Sequence, residues 1–143
     1  MDKKRHLTVI GFDFGTKYIG LAIGQTLTKT AKPLTSITNI DGIPDWKALK
    51  KIITEWCPNA FVVGIPLNMD GTTQPMTFYA QQFVTQLKER FNLPVYEIDE
   101  RLTTVEARSQ IFSSKGFKGL TKSAIDSYAA KLILEDWLQL PEH

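Results

Sequence analysis

Asp13 is a carboxylate set inside an otherwise apolar segment that runs from Val9 to Phe14. Burying a lone carboxylate in a strand costs free energy unless the group is paired, hydrogen-bonded or bound to a metal ion. Asp13 is therefore either a metal ligand held rigidly by a central strand or a strand-end residue that caps the following Gly15-Thr16 turn.

Two more acidic positions lie at the ends of later predicted elements. Glu100, within Asp99-Glu100-Arg101, ends the last predicted strand, and ligand sites of open α/β sheets lie at the carboxyl ends of parallel strands. Asp126 lies near the start of a predicted helix. Each position also has a simpler explanation, which is a solvated ion pair between loop neighbours for Glu100 and an interaction with the helix dipole for Asp126.

Asp13, Glu100 and Asp126 would together form an oxygen-ligand site for Mg²⁺ or Mn²⁺, if the fold brings them together. Two such ions can activate water and stabilise the leaving oxygen in phosphodiester hydrolysis. Zinc is disfavoured because Cys57 is the only cysteine and the two histidines, His6 and His143, lie near the chain ends. These residue types therefore favour a metal-dependent phosphodiesterase.

The charge distribution is uneven, although the net charge is only +2. Residues 101–122 carry a charge of +4, and the remainder of the chain sums to −2. Arg101, Lys115 and Lys118 in this segment are candidate phosphate contacts, and the alternative is an ordinary solvated face in which Arg101 only neutralises Asp99. Asn68 is a further candidate for substrate contact because it follows a predicted parallel strand, although an ordinary turn explains its loop equally well.

The hydrophobic pattern predicts one α/β domain over residues 1–143. Short β-branched runs joined by tight turns predict three antiparallel strands, after which amphipathic helices alternate with two apolar runs typical of parallel strands. The predicted order is β-β-β-α-β-α-β-α-α, with the strands at 8–14, 18–24, 34–39, 60–64 and 95–98. This gives a mixed five-stranded sheet, three antiparallel strands then two parallel, covered by helices.

The composition excludes other classes of protein. The chain is 43% hydrophobic and 22% charged, which is ordinary for a globular domain, and it has no apolar run of the roughly 18 residues that a membrane span requires. The lone cysteine excludes an internal disulfide, and the apolar run after the basic N-terminus is too short for a signal peptide. We therefore expect a cytoplasmic protein.

Five segments, in order along nearly the whole chain, resemble the YqgF/RuvX family. They are Phe12–Lys17, Ile19–Ala22, Val63–Gly71, Asp99–Thr104 and Asp126–Ala130. The resemblance implies a ribonuclease H-like fold, related to Holliday junction resolvases, and a nuclease that matures the 5′ end of the small-subunit precursor ribosomal RNA. It also implies catalytic or metal-binding roles for Asp13, Glu100 and Asp126.

The resemblance selects Glu100 rather than its neighbour Asp99. Adjacent residues at a strand end point to opposite faces of the sheet, so only one of the two joins a site on either face. The implied partner is nucleic acid, with precursor rRNA favoured, structured DNA such as a four-way junction as the alternative, and ribosomal particles as a further partner.

Two other classes of function compete with the nuclease. Actin- and Hsp70-type ATPases also use an Asp-x-Gly-Thr turn, but they resemble this chain only over Asp13–Lys17 and need two such domains. A non-catalytic nucleic-acid-binding module is the second alternative, but a binder gains nothing from three acids that face phosphate. The nuclease is therefore favoured over both the ATPase and the binding module.

Overall fold

A mixed β-sheet lies at the centre of the structure, a computed structural model that describes residues 6–100 and 122–140. Among these residues the strands are β1 (Thr8–Phe14), β2 (Tyr18–Gln25), β3 (Thr30–Ile40), β4 (Ile43–Pro44), β5 (Ala60–Ile65) and β6 (Val95–Asp99). The helices are α1 (Trp46–Trp56), α2 (Pro75–Phe91) and α3 (Lys122–Gln139). The strand order across the sheet is β4-β3-β2-β1-β5-β6.

The strand directions agree with the sequence prediction. β1 pairs antiparallel with β2, and β2 pairs antiparallel with β3. β5 lies parallel to β1 on its other side, and β6 lies parallel to β5. The carboxyl ends of β1, β5 and β6 therefore meet at one edge of the sheet, which a shared acidic site at these strand ends requires.

The predicted count of five strands is wrong, because β4 adds a sixth strand in the described residues. It pairs with the end of β3 through a two-residue turn, Asp41-Gly42, whose φ angles are +53° and +78°. Asp-Gly is a favoured pair for such a hairpin because both central residues need positive φ. The strand itself has only two residues, which is too short to produce a hydrophobic pattern.

β3 also begins at Thr30, four residues before the predicted start at Leu34. Pro33 lies inside this added part, and a proline within a run indicates an interruption when only the sequence is considered. The structure accommodates it because β4 covers only the far end of β3, which leaves Pro33 on an open edge where the missing N–H breaks no ladder.

Helices cover the two faces of the sheet with separate hydrophobic clusters. α1 and α2 pack on one face around an aromatic group that joins Phe12 and Phe61 of the sheet to Phe83 of α2. α3 packs on the opposite face against Val9 and Val62. Side chains alternate along β1, so Phe12 and Phe14 point into the first cluster and Asp13 points to the face that α3 covers.

The predicted third helix and most of the basic segment fall within residues 101–121, outside the described residues. In the ranges that are described, none of the helices is long and apolar enough to cross a membrane.

Candidate active site

Asp13 lies near the end of β1 and is only 4% exposed. Its two neighbours across the sheet are both glycines, Gly20 of β2 and Gly64 of β5. Side chains directly opposite one another in adjacent strands share a face, so a side chain at either glycine would point to the same face as Asp13. Because neither glycine has a side chain, other groups can occupy the space on each side of the carboxylate.

The space over Gly20 is filled by the backbone of Asp126 in α3. A Cβ atom at Gly20 would lie 2.0 Å from the carbonyl oxygen of Asp126, which is far inside van der Waals contact. The Asp126 carboxylate reaches towards the turn that follows β1, since its Oδ2 is 3.9 Å from the Cβ position of Gly15. Gly20 therefore lets α3 approach close enough for a buried Asp126, 5% exposed, to lie beside Asp13.

The space over Gly64 is filled by the side chain of Glu100. A Cβ atom at Gly64 would lie 2.8 Å from Cγ and 3.1 Å from Cδ of Glu100. Glu100 follows β6 directly and is 8% exposed. The two glycines thus bring one acid to each side of Asp13, on the face that α3 covers.

Asp99 points the other way. It pairs with Ile65 of β5, whose side chain belongs to the cluster beneath α1 and α2. Of the two adjacent acids, Glu100 is therefore the one that shares a face with Asp13 and Asp126.

The three carboxylates share one face but do not form a closed metal centre. Within residues 6–100 and 122–140, no three His, Cys, Asp or Glu side chains are grouped so that they could hold one metal ion. The donor chemistry nevertheless fits a hard divalent cation, since all the donors are carboxylate oxygens. Three buried carboxylates repel one another when all are ionised, and a cation between them would offset that repulsion.

The other predicted site residues contribute differently. Asn68 is exposed and its side-chain Nδ2 donates to Thr72 Oγ1 at 2.9 Å and to the Thr73 carbonyl at 3.1 Å. These bonds hold the loop between β5 and α2 in shape, as the alternative explanation of an ordinary turn expects. Arg101, Lys115 and Lys118 lie outside the described residues.

The sequence reasoning missed the positioning roles of Gly20 and Gly64. A signal for both was present, because a glycine inside an apolar strand often marks the close approach of another backbone or side chain. Nothing in the sequence alone showed that both glycines are cross-strand neighbours of Asp13, since that depends on the register of three strands.

Comparison of the sequence with known proteins identifies close relatives. The sequence profile of the RuvX family, described as Holliday junction resolvase, matches residues 7–140. A Haemophilus ducreyi protein named "Putative pre-16S rRNA nuclease" is 56% identical over 91% of this chain and 94% of its own length. Proteins of the same name from Pectobacterium carotovorum and Shewanella oneidensis are 52% and 49% identical, each over 92% of this chain, and over 95% and 94% of their own lengths.

Solved structures with the same architecture are more distant in sequence. Thermus thermophilus RuvC, solved with a Holliday junction, superposes with a TM-score of 0.53 at 16% identity, over 92% of this chain and 93% of that one. The yeast mitochondrial Holliday junction resolvase Ydc2 gives 0.52 at 9% identity, over 91% and 77%. At these identities the likeness concerns the fold alone, and it confirms the predicted ribonuclease H-like architecture.

Proposed function

The chain belongs to the RuvX family, and from that premise we propose that it is the nuclease that cuts precursor 16S rRNA, with Asp13, Glu100 and Asp126 as its catalytic carboxylates. The family and the names of its relatives make it a nuclease, a hydrolase acting on phosphodiester bonds. The observation that carries the residue assignment is the register of Asp13 between two glycines, each of which makes room for one of the other two acids.

To hold a divalent cation the three acids would have to draw together from the positions described above, and their all-oxygen donor set would suit Mg²⁺ or Mn²⁺. When bound, such a cation lowers the pKa of a coordinated water and stabilises the leaving oxygen. Asp13 supplies the rigid part of the set, because its backbone is held between two neighbouring strands. Glu100 and Asp126 approach it from separate elements, so the positions of both depend on how β6 and α3 pack against the sheet.

The acids also explain why basic residues are needed nearby. A cluster of buried carboxylates repels a phosphate backbone, and cations close to it reduce that repulsion. Arg101, Lys115 and Lys118 are our candidates for this role. Arg101 follows Glu100 directly, and the two lysines lie later in the same basic segment, residues 101–122.

A second substrate is supported by the description of the family as Holliday junction resolvase. A four-way DNA junction and an RNA precursor both present phosphodiester bonds, which is the bond that the family hydrolyses. We place precursor rRNA first because the relatives that are about half identical to this chain carry that name.

The test measures cleavage of a 5′-extended 16S rRNA precursor and of a four-way DNA junction by the purified protein, with Mg²⁺ or Mn²⁺ added. Asp13→Asn should reduce cleavage to background while it preserves folding and binding, since it removes one charge at nearly constant shape. Asp99→Asn is the matched control, an aspartate at a neighbouring strand end that points to the opposite face, and it should retain cleavage.

The possible outcomes separate the alternatives. Cleavage of the junction but not of the RNA would move the substrate to DNA. Tight binding of either substrate without metal-dependent cleavage would replace the nuclease with a binding module. Full cleavage by Asp13→Asn would contradict the proposed site.

A further inference from the structure

A cavity of about 310 Å³ opens beside the turn between β1 and β2. Phe14, Met76 and Tyr79 supply its apolar wall, and Thr16, Asn39 and Asp41 supply its polar side. The cavity is at the small end of the range for ligand pockets, roughly 300–1,000 Å³. It lies at the same end of β1 as Asp13. Phe14 places it on the face that α1 and α2 cover, so the turn after β1 lies between the cavity and the carboxylates.

Asn39 is held in one orientation by two hydrogen bonds to that turn. Its backbone N–H donates to the Lys17 carbonyl at 2.8 Å, and its side-chain Nδ2 donates to the Gly15 carbonyl at 2.7 Å. A carbonyl oxygen accepts only from a donor, so the amide nitrogen must face Gly15 and Oδ1 must face elsewhere.

The Oδ1 atom of Asn39 is a buried acceptor that has no hydrogen-bond partner among residues 6–100 and 122–140. The residue is only 3% exposed. A buried acceptor left without a donor costs free energy, and such groups in native proteins call for an explanation. Asn39 is one of the residues that line the adjoining cavity, and an N–H of a ligand bound there would be a donor for this oxygen.

The chemistry of the cavity restricts that ligand. Asp41 adds a carboxylate beside Asn39, so both polar groups accept hydrogen bonds and one of them carries negative charge. A phosphate would be repelled there, whereas a flat group with several N–H donors would be bound. Tyr79 is 47% exposed and offers its ring as a stacking surface.

The position of Tyr79 is set by the start of α2. The Thr77 hydroxyl donates to the carbonyl of Pro66 at the end of β5, and the Gln74 N–H donates to Thr77 Oγ1 at 3.0 Å. These bonds attach the first turn of the helix to the sheet edge. The ring is therefore presented by a fixed element rather than by a mobile loop.

From these contacts we propose that the cavity binds one unpaired nucleobase of the substrate strand and that it prefers guanine. The proposal rests on the proposed nuclease function, since it adds a subsite to the same substrate. Guanine presents the ring N1–H and the exocyclic amino group side by side, which matches the two acceptors of Asn39 and Asp41. Uracil presents a single N–H between two carbonyl oxygens, and those oxygens would face the same acceptors. The bound base would lie beside the turn after β1, at the end of the strand that carries Asp13.

The test uses mononucleotides, so that it is independent of cleavage. GMP, UMP and ribose 5-phosphate are titrated into the ¹⁵N-labelled protein, and the side-chain amide of Asn39 is followed by NMR. We expect GMP to shift that resonance saturably and UMP to bind at least roughly fivefold more weakly than GMP. Ribose 5-phosphate should leave the resonance unchanged. A purely structural role of Asn39 in the turn would leave its amide unmoved by every ligand.

Tyr79→Ala should weaken GMP binding by roughly fivefold or more, the effect expected when one stacking ring is removed. Tyr79→Phe should restore binding. Tyr96→Ala is the matched control, because Tyr96 is also a partly exposed tyrosine but packs on Trp137 away from the cavity, and it should leave GMP binding unchanged.

Equal shifts with GMP and UMP, or no shift of the Asn39 amide, would overturn the proposal. Either result would leave the nuclease assignment intact, because that assignment depends on the Asp13→Asn cleavage test. Conversely, GMP binding at Asn39 without any cleavage would retain the subsite and reject the nuclease.

Discussion

Asp13 and Gly64 are direct register partners in the parallel ladder between β1 and β5, and the space that a side chain at Gly64 would occupy holds the side chain of Glu100. A residue without a side chain thus determines how close the second acid comes to the first. On the other side, Gly20 is the register partner of Asp13 in β2, and the space over it holds the backbone of Asp126. The proposed site depends on two glycines as much as on its three acids.

Gly64→Ala should remove most of the cleavage activity, while it lowers the free energy of unfolding only moderately. The new Cβ would meet Glu100 Cγ and Ile133 Cδ1 at 2.8 Å, so the Glu100 side chain must leave its present position over Gly64. Overpacking of this kind costs roughly 1–3 kcal/mol of unfolding free energy. Cleavage rates and urea unfolding would be measured on the same preparations.

Gly11→Ala is the control for this prediction. Its Cβ would also lie 2.8 Å from a side-chain atom of α3, Leu134 Cβ, but its three nearest atoms all belong to this leucine and not to an acid. We expect a similar loss of stability with most of the cleavage retained. Equal losses of cleavage in the two variants would show that general packing, and not the position of Glu100, is responsible.

Glu100→Gln should abolish cleavage, whereas Asp99→Asn should preserve it. The two acids are adjacent in sequence, but Asp99 pairs with Ile65 on the face beneath α1 and α2, and Glu100 lies over Gly64 on the face of Asp13. The measurement is metal-dependent cleavage of the substrate identified with the parent protein. The opposite ranking would move the site to the other face of the sheet.

Neutralising Lys115 and Lys118 together should weaken nucleic-acid binding about equally for different sequences, because phosphate contacts carry no base information. Each lost contact should reduce the slope of log affinity against log salt by roughly 0.7 on single strands and 0.9 on duplex DNA. Lys50→Gln with Lys51→Gln removes the same charge from the exposed side of α1 and should leave the slope closer to that of the parent. An unchanged slope in the Lys115 and Lys118 variant would mean that these lysines are only solvated.

Asp136→Asn should stabilise the protein at neutral pH. Partial burial, and then the neighbouring negative charge of Glu135, raise the pKa of Asp136 above its ordinary value of 3.8. The folded state therefore holds this proton more tightly than the unfolded chain, and the resulting stability is present in acid and is lost as the pH rises through the raised pKa.

The variant removes that pH-dependent loss. Its free energy of unfolding should exceed that of the parent at neutral pH, and the difference should shrink as the pH falls towards the ordinary aspartate range. Urea unfolding at a series of pH values measures both. A variant that is less stable at neutral pH would mean that the Asp136 carboxylate makes a favourable contact in its charged form.

The sequence by itself determined the elements and the candidate acids. The change from strand to helix period along the chain is local information, and so is the placement of Asp13 among apolar residues of one strand. The directions of the five longer strands followed from connection lengths. The two-residue strand β4 and the early start of β3 did not, because one is too short for a pattern and the other contains Pro33.

Only the tertiary structure decided which residues lie together. The register of β1 with β2 and β5 places Gly20 and Gly64 beside Asp13, and register depends on contacts between residues far apart in the chain. The same holds for Asn39, which in the sequence is an ordinary polar residue of β3. In the structure its amide nitrogen donates to the Gly15 carbonyl, its amide oxygen is buried without a partner among the described residues, and the residue lines a cavity. Local sequence records the chemical type of a side chain, but the space around it is set by distant parts of the chain that pack against it.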